Sequence, residues 1–178
     1  QRSIANLLRY LDDRGFRPRS ALDLACGTGA VVADLAARGI RVAGLDRSAA
    51  MIALATQRVA ETGLSAEFIE ADMTDFVVAA PVDLCTCFYD AVNYLTTLPD
   101  LGRFLTCAHA ALDPGGYLAL DVNTIRKLSE GWDDFMIVAA DDADRFLVYR
   151  SYWDESTANS PLQVTGFERR ADGAWERF

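Results

Sequence analysis

Four short stretches of this sequence bring together residue types able to do chemistry. Gly27-Thr28-Gly29 follows Ala21-Leu22-Asp23-Leu24-Ala25-Cys26 directly, and Asp46 closes the run Arg41-Val42-Ala43-Gly44-Leu45. Asp72 follows Glu70-Ala71, and Phe88 opens Tyr89-Asp90-Ala91-Val92-Asn93-Tyr94. A glycine turn leading into a helix lets backbone approach a ligand closely and presents N–H donors to it. An acidic residue about 20 positions further on suits the two hydroxyls of an adenosine ribose. Asp46 stands there, although an aspartate just ahead of Ser48 also serves as a helix cap. Asp72 fits either an adenine amino group or a plain turn. Asp23 lies inside an apolar strand, where a carboxylate needs a partner. That partner is either the glycine-loop backbone or a cationic group of a ligand. Tyr89, Asp90 and Asn93 are the candidates for proton transfer. Asp90 as a turn cap, and Asn93 with Tyr94 as pocket wall, are the ordinary alternatives.

These residues need elements to carry them. Ala21 to Ala25 is apolar without strict alternation, as in a strand covered on both faces of a parallel sheet. It runs through the glycine turn into an apolar helix, Val31 to Arg38, closed by Gly39. Residues 2 to 14 space Ile4, Leu7, Leu8 and Leu11 along one helical face. Further strands are expected at Arg41–Asp46, Ala66–Glu70, Val82–Phe88 and Tyr117–Val122. Helices are expected from Ser48 to Gly63 and from about Asp100 to Leu112, with a turn at Asp113-Pro114-Gly115-Gly116. Alternating strands and helices imply right-handed βαβ units and a doubly wound, mostly parallel sheet. Ligands of such sheets bind outside the carboxyl ends of the strands, where all four stretches converge. After Asn123 come a short helix near Ile125–Ser129 and aromatic, β-branched segments at Arg145–Trp153 and Leu162–Arg170. Asp172-Gly173 then signals a hairpin. The chain therefore divides into an α/β core, 1–124, and a small antiparallel β-segment, 125–178, expected to be incomplete at its C-terminus. The aromatics Phe146, Tyr149, Tyr152, Trp153, Phe167 and Trp175 suit that sheet's own core better than a cation cage.

Composition narrows the function. The 178 residues, 51% of them hydrophobic, fit one domain with a sizeable core. A net charge of −9 removes the electrostatic footprint of a nucleic-acid binder. No apolar run reaches the ~18 residues of a membrane span, and the opening residues read as an amphipathic helix, so no signal peptide is expected. Cys26, Cys85, Cys87 and Cys107 form no Cys-x-x-Cys pair and His109 is the lone histidine, so neither a metal site nor a disulfide framework is expected. The cysteines read as buried thiols of a cytoplasmic protein. His109 reads as structural and partly exposed.

Two ligand classes compete for the glycine turn. A dinucleotide site wants a third glycine where Val32 stands, and a pyrophosphate would be repelled by Asp23. An adenosine ligand with a cationic tail meets neither objection. At this point the motifs align with a known family. Leu22-Asp23-Leu24-Ala25-Cys26-Gly27-Thr28-Gly29 resembles motif I of the class I S-adenosylmethionine-dependent methyltransferases. Gly44 to Met51, Glu70-Ala71-Asp72-Met73, Phe88 to Leu95 and Leu112 to Tyr117 resemble the family's later motifs, in order. Asn93-Tyr94-Leu95 and Asp121-Val122-Asn123-Thr124 suggest the small-molecule branch, whose extra β-segment covers the substrate.

The resemblance implies a Rossmann-like methyltransferase fold and S-adenosylmethionine as cofactor, with S-adenosylhomocysteine as product. It implies that Ala25, Gly27 and Gly29 line the methionine and ribose part, beside Asp23, whose partner remains either the glycine-loop backbone or a cationic ligand group. Asp46 would hold the ribose, Arg47 and Met51 would lie near the adenosine, Asp72 and Met73 at adenine, and Phe88 beside the sulfonium. The expected acceptor is a small metabolite, with N-methylation ahead of O-methylation. The aromatic β-segment is a candidate homodimer surface. An NAD(P)-dependent oxidoreductase and a non-catalytic cofactor-binding domain are the alternatives.

Overall fold

The computed structural model describes residues 2–178. The chain folds into two compact units, one ending at Val122 and one spanning Asn123–Phe178.

The first unit is built on five parallel strands. These are β1 (Ser20–Leu24), β2 (Arg41–Asp46), β3 (Glu67–Glu70), β4 (Val82–Cys87) and β5 (Leu112–Leu120). Their order is β3-β2-β1-β4-β5, so β1 is central. All five of its residues are buried, which is why its sequence lacks the alternation of a half-exposed strand. Alternate side chains serve opposite faces. Ala21 joins a core with Ile4, Val31, Leu35, Val42 and Val59, while Leu22 and Leu24 join a second with Leu45, Cys85, Phe104 and Ala108. The first face is thus covered by α1 (Arg2–Asp12), α2 (Ala30–Ala36) and α3 (Ala49–Glu61), the second by α4 (Leu98–Ala110). The winding reverses between β1 and β4, and a crevice opens at that switch point beyond the strands' carboxyl ends.

The expected helix from Asp100 begins two residues earlier. Thr97 caps it by accepting from the Asp100 N–H, and Pro99 sits in the first turn, where its missing N–H is harmless. The expected turn at Asp113–Gly116 lies within β5. Val82 pairs with Leu112 and Leu84 with Tyr117, so the extra residues are absorbed as an irregularity of the ladder.

The second unit opens with α5 (Ile125–Gly131). It continues as an antiparallel sheet, β6-β7-β8-β9 in order, formed by Phe135–Asp141, Arg145–Ser151, Leu162–Arg169 and Trp175–Arg177. The β8–β9 hairpin turns at Asp172-Gly173, where Gly173 has φ 85°. Strand β6 is absent from the sequence reading, because Phe135 to Ala140 is one apolar run without period-2 alternation. Phe146, Tyr149, Trp153 and Phe167 are half-buried, but Tyr152 and Trp175 are exposed and add little to a core. No helix of the described residues is long and apolar enough to cross a membrane.

Candidate active site

At the end of β1 the chain enters three left-handed residues, Ala25 (φ 55°), Gly27 (φ 52°) and Gly29 (φ 74°). The Gly27 N–H donates to Asp46 Oδ2 at 2.8 Å, and the Ser48 N–H donates to Asp46 Oδ1 at 2.9 Å. Asp46, the last residue of β2, therefore locks the glycine loop to the start of α3. The capping of α3 itself falls to Ser48, whose hydroxyl accepts from the Met51 N–H. A carboxylate has about four acceptor sites, so two stay available for hydroxyl donors. Asp46 serves the loop and remains competent for a diol.

Asp23 is 3% exposed and accepts from Thr86 Oγ1 at 2.6 Å. Its expected bond to the glycine loop is not the one formed, because Asp46 takes the Gly27 N–H. Burial pushes the Asp23 carboxyl up to about 7; the Thr86 hydrogen bond opposes that shift and the nearby Asp46 charge adds to it. Asp72 behaves oppositely. Its Oδ1 accepts from the Thr74 N–H and hydroxyl at 2.8 and 2.7 Å, and these bonds hold it below the usual carboxylate range. The turn reading of Asp72 is thus met by local geometry.

A single cavity of about 660 Å³ collects most of the expected residues: Asp23, Ala25, Gly27, Asp46, Arg47, Met51, Asp72, Met73, Phe88 and Tyr89. That volume lies within the usual range for a small-ligand site. Three expected residues do not line it. Gly29 is turned towards α3, and a Cβ there would meet Ala55 Cβ at 2.8 Å, so this glycine lets two helices approach. Asp90 and Asn93 flank or belong to a 3₁₀ turn, Ala91–Tyr94. With about three residues per turn, Ala91 and Tyr94 share the face that lines the cavity, and Asn93 lies off it.

The sequence reading missed Asp100 and Arg103, an ion pair at the start of α4 that also lines the cavity. It missed Asp121 as well, the residue just after β5, whose carboxylate accepts from the Tyr89 and Asp90 N–H groups. In the sequence Asp121 stands within Asp121-Val122-Asn123-Thr124, a branch motif given no role at the site. For Asp100 and Arg103 the signal is the start of a helix after the fourth strand. Burial raises the Cys26, Cys85 and Cys87 thiols to about 12, so they stay protonated and are not nucleophiles. Cys107 is half-buried and His109, on α4, is exposed.

This fold and this crevice place a small-ligand site at the switch point of a doubly wound α/β sheet. Residues 21–116 match the family model described as "Methyltransferase domain", and the chain belongs to that family, within the class I S-adenosylmethionine-dependent methyltransferases. A dTDP-4-amino-2,3,4,6-tetradeoxy-D-glucose N,N-dimethyltransferase of Saccharopolyspora spinosa is 36% identical over 103 residues, 58% of this chain and 40% of the relative. The sugar N-methyltransferase KedS8 of Streptoalloteichus sp. superposes with a TM-score of 0.81 at 26% identity, covering 98% of this chain and 68% of that one. CalS10, an amino pentose methyltransferase of Micromonospora echinaspora solved with S-adenosylmethionine bound, gives 0.75 at 25%, covering 99% and 71%. The chain spans 63% of a Geobacillus sp. (strain WCH70) relative that it matches at 28% identity.

The residues present fit the family's cofactor. Gly27 has nothing within 4 Å of where a Cβ would stand, Asp46 keeps acceptor capacity for a diol, and the Asp23 carboxyl lines the cavity. Membership in this family leaves the nicotinamide alternative without support, and Val32, in place of a third glycine, is wholly buried in the core.

Proposed function

We propose that this chain is the cofactor-binding and catalytic part of an enzyme that methylates a nitrogen of a small metabolite, an amino sugar being the first candidate. The observation that carries the reading is the cavity at the β1–β4 switch point, where Asp46, Asp23 and the glycine loop present acceptors and open backbone together. Asp46 holds the ribose hydroxyls, and Arg47, Met51, Asp72 and Met73 surround the adenosine. Ala25, Gly27 and Asp23 face the methionine part, with Asp23 opposite positive charge. Phe88 and Tyr89 border the place where acceptor and methyl meet.

When bound, the cofactor supplies an electrophilic methyl with a good leaving group. The protein's task is then alignment and exclusion of water. A neutral amine attacks without prior loss of a proton, so no base is required for N-methylation. Tyr89 is the one of the three proton-transfer candidates that lines the cavity, and it would be the base if the acceptor were a hydroxyl. The N-methyltransferase names of KedS8 and the S. spinosa relative support nitrogen over oxygen, and the CalS10 name supports an amino sugar as acceptor.

The test is a pair of measurements. S-adenosylhomocysteine, S-adenosylmethionine, NAD and NADP are compared for their shift in melting temperature; saturation at ~100 times Kd gives about 2.7 kcal/mol. Turnover is then followed with amino sugars and matching hydroxyl sugars. Stabilisation by the adenosyl-sulfur ligands and methylation of the amines is expected. A shift with the dinucleotides alone would overturn the reading.

A further inference from the structure

Two consecutive non-glycine residues, Tyr89 (φ 61°) and Asp90 (φ 65°), occupy left-handed backbone at the cavity edge. L-residues avoid this region, and a pair of them persists only where the surroundings over-determine it. A carboxylate grips both amides of the pair. Asp121 accepts from the Tyr89 N–H through Oδ2 at 3.1 Å and from the Asp90 N–H through Oδ1 at 3.0 Å. The Asp121 N–H in turn donates to the Cys87 carbonyl at 3.2 Å. Asp121 thereby clasps the chain at residues 87, 89 and 90, extending the β4–β5 pairing one step past the strands and closing it over the loop. Directly beyond the clasp, the Asp90 carbonyl accepts from the Asn93 N–H, which starts the 3₁₀ turn bearing Ala91 and Tyr94 on the cavity wall.

We propose that Asp121 is a positioning residue for the acceptor side of the site. It acts through the Tyr89–Asp90 backbone, placing Tyr89, Ala91 and Tyr94, and it takes no part in holding the cofactor. The naming of an acceptor side rests on the methyltransferase reading; the clasp and its separation from the Asp46 half do not. The geometry explains why an aspartate suits the position. Two adjacent N–H groups converge on two oxygens, a charge-assisted arrangement that one amide oxygen cannot reproduce. Asn at this position would turn an NH2 towards a donor.

The test uses Asp121→Asn and Asp121→Ala with three readouts: amide hydrogen exchange over residues 88–95, S-adenosylhomocysteine affinity by calorimetry, and turnover of dTDP-4-amino-2,3,4,6-tetradeoxy-D-glucose. Exchange over 88–95 is expected to accelerate by about tenfold or more in Asp121→Ala, with Asp121→Asn intermediate. The S-adenosylhomocysteine Kd is expected to stay within about threefold, while KM for the acceptor rises about tenfold with a smaller change in kcat. Asp90→Gly placed on Asp121→Ala removes part of the left-handed strain and is expected to restore part of the protection. Unchanged exchange over 88–95 overturns the proposal, as does a loss of S-adenosylhomocysteine affinity equal to the loss for the acceptor. If the wild-type protein turns over no amino sugar, the methyltransferase reading of the acceptor fails. Exchange and ligand affinity still decide the clasp in that case. Should Asp121→Ala not fold, Asp121→Asn carries the same comparison.

Discussion

The carboxyl edge of the sheet holds two loops pinned by the same device in different ways. In the β1–β2 half, Asp46 accepts from the Gly27 and Ser48 N–H groups; in the β4–β5 half, Asp121 accepts from those of Tyr89 and Asp90. Each is a strand-end carboxylate tying down a backbone turn. The first turn places glycines at two of its three left-handed positions and is close to relaxed. The second forces two bulkier residues into that conformation and depends on its carboxylate. The comparison teaches that a turn meant to admit a fixed ligand is built from residues that suit it. A turn meant to hold particular side chains at a wall keeps those side chains and accepts the strain.

The sharpest way to break the comparison is at Asp46. Asp46→Ala removes the loop anchor and the proposed diol acceptor together. S-adenosylhomocysteine affinity is expected to fall about 100-fold or more, roughly the worth of two hydrogen bonds to a charged group. Calorimetric titration checks it, and a loss below about fivefold removes the ribose role.

Gly29→Ala comes next. Its Cβ would stand 2.8 Å from Ala55 Cβ, at a backbone φ of 74° that L side chains disfavour. Urea unfolding should show a loss of about 2–3 kcal/mol from the clash and the left-handed conformation together.

Asp23 sharpens the contrast through pH. Its carboxyl is raised in the folded state to about 7, from an ordinary value of 3.8. The unfolded chain thus releases the proton first, so this group's stabilising contribution is full below about pH 4 and is lost as pH rises through about 7. The difference in unfolding free energy between wild type and Asp23→Asn should drift by about 1 kcal/mol per pH unit across that window, in the direction of wild type weakening. A cationic ligand should reverse the drift, binding more tightly to wild type at pH 8 than at pH 6, whereas a pH-independent difference would show that Asp23 carries no such proton.

The smallest expected effect is at Asp90. Glycine there keeps the N–H that Asp121 accepts and relieves the left-handed strain, so Asp90→Gly should stabilise the fold by up to about 1 kcal/mol in urea.

Much of the first unit was legible along the chain, because its signals are local. Apolar β1, the Gly27-Thr28-Gly29 turn, the β2 boundary at Asp46 and the Ser48 cap each follow from residues adjacent in sequence. The convergence of the glycine turn, Asp46, Asp72 and Phe88 on one edge follows from parallel βαβ units, which bring the strands' carboxyl ends together. The order β3-β2-β1-β4-β5, in contrast, is set by tertiary pairing. Strand β6 escaped because Phe135 to Ala140 is a run whose apolar character suits a helix or a strand alike, and its partner β7 decides between them.

Element periodicity and motif spacing alone determined the fold class and favoured an adenosine ligand with a cationic tail over a dinucleotide, since a glycine turn followed by an acid at fixed distance constrains backbone and charge locally. The family resemblance supplied the cofactor itself. Tertiary structure alone decided which of the chemically competent residues face the cavity. It turned Asp90 and Asn93 off the wall and set Gly29 against α3. It brought Asp121 to the Tyr89 and Asp90 N–H groups, across 32 and 31 residues of sequence. Backbone N–H donors are the same in every residue but proline, so no residue type announces where a distant carboxylate will find them.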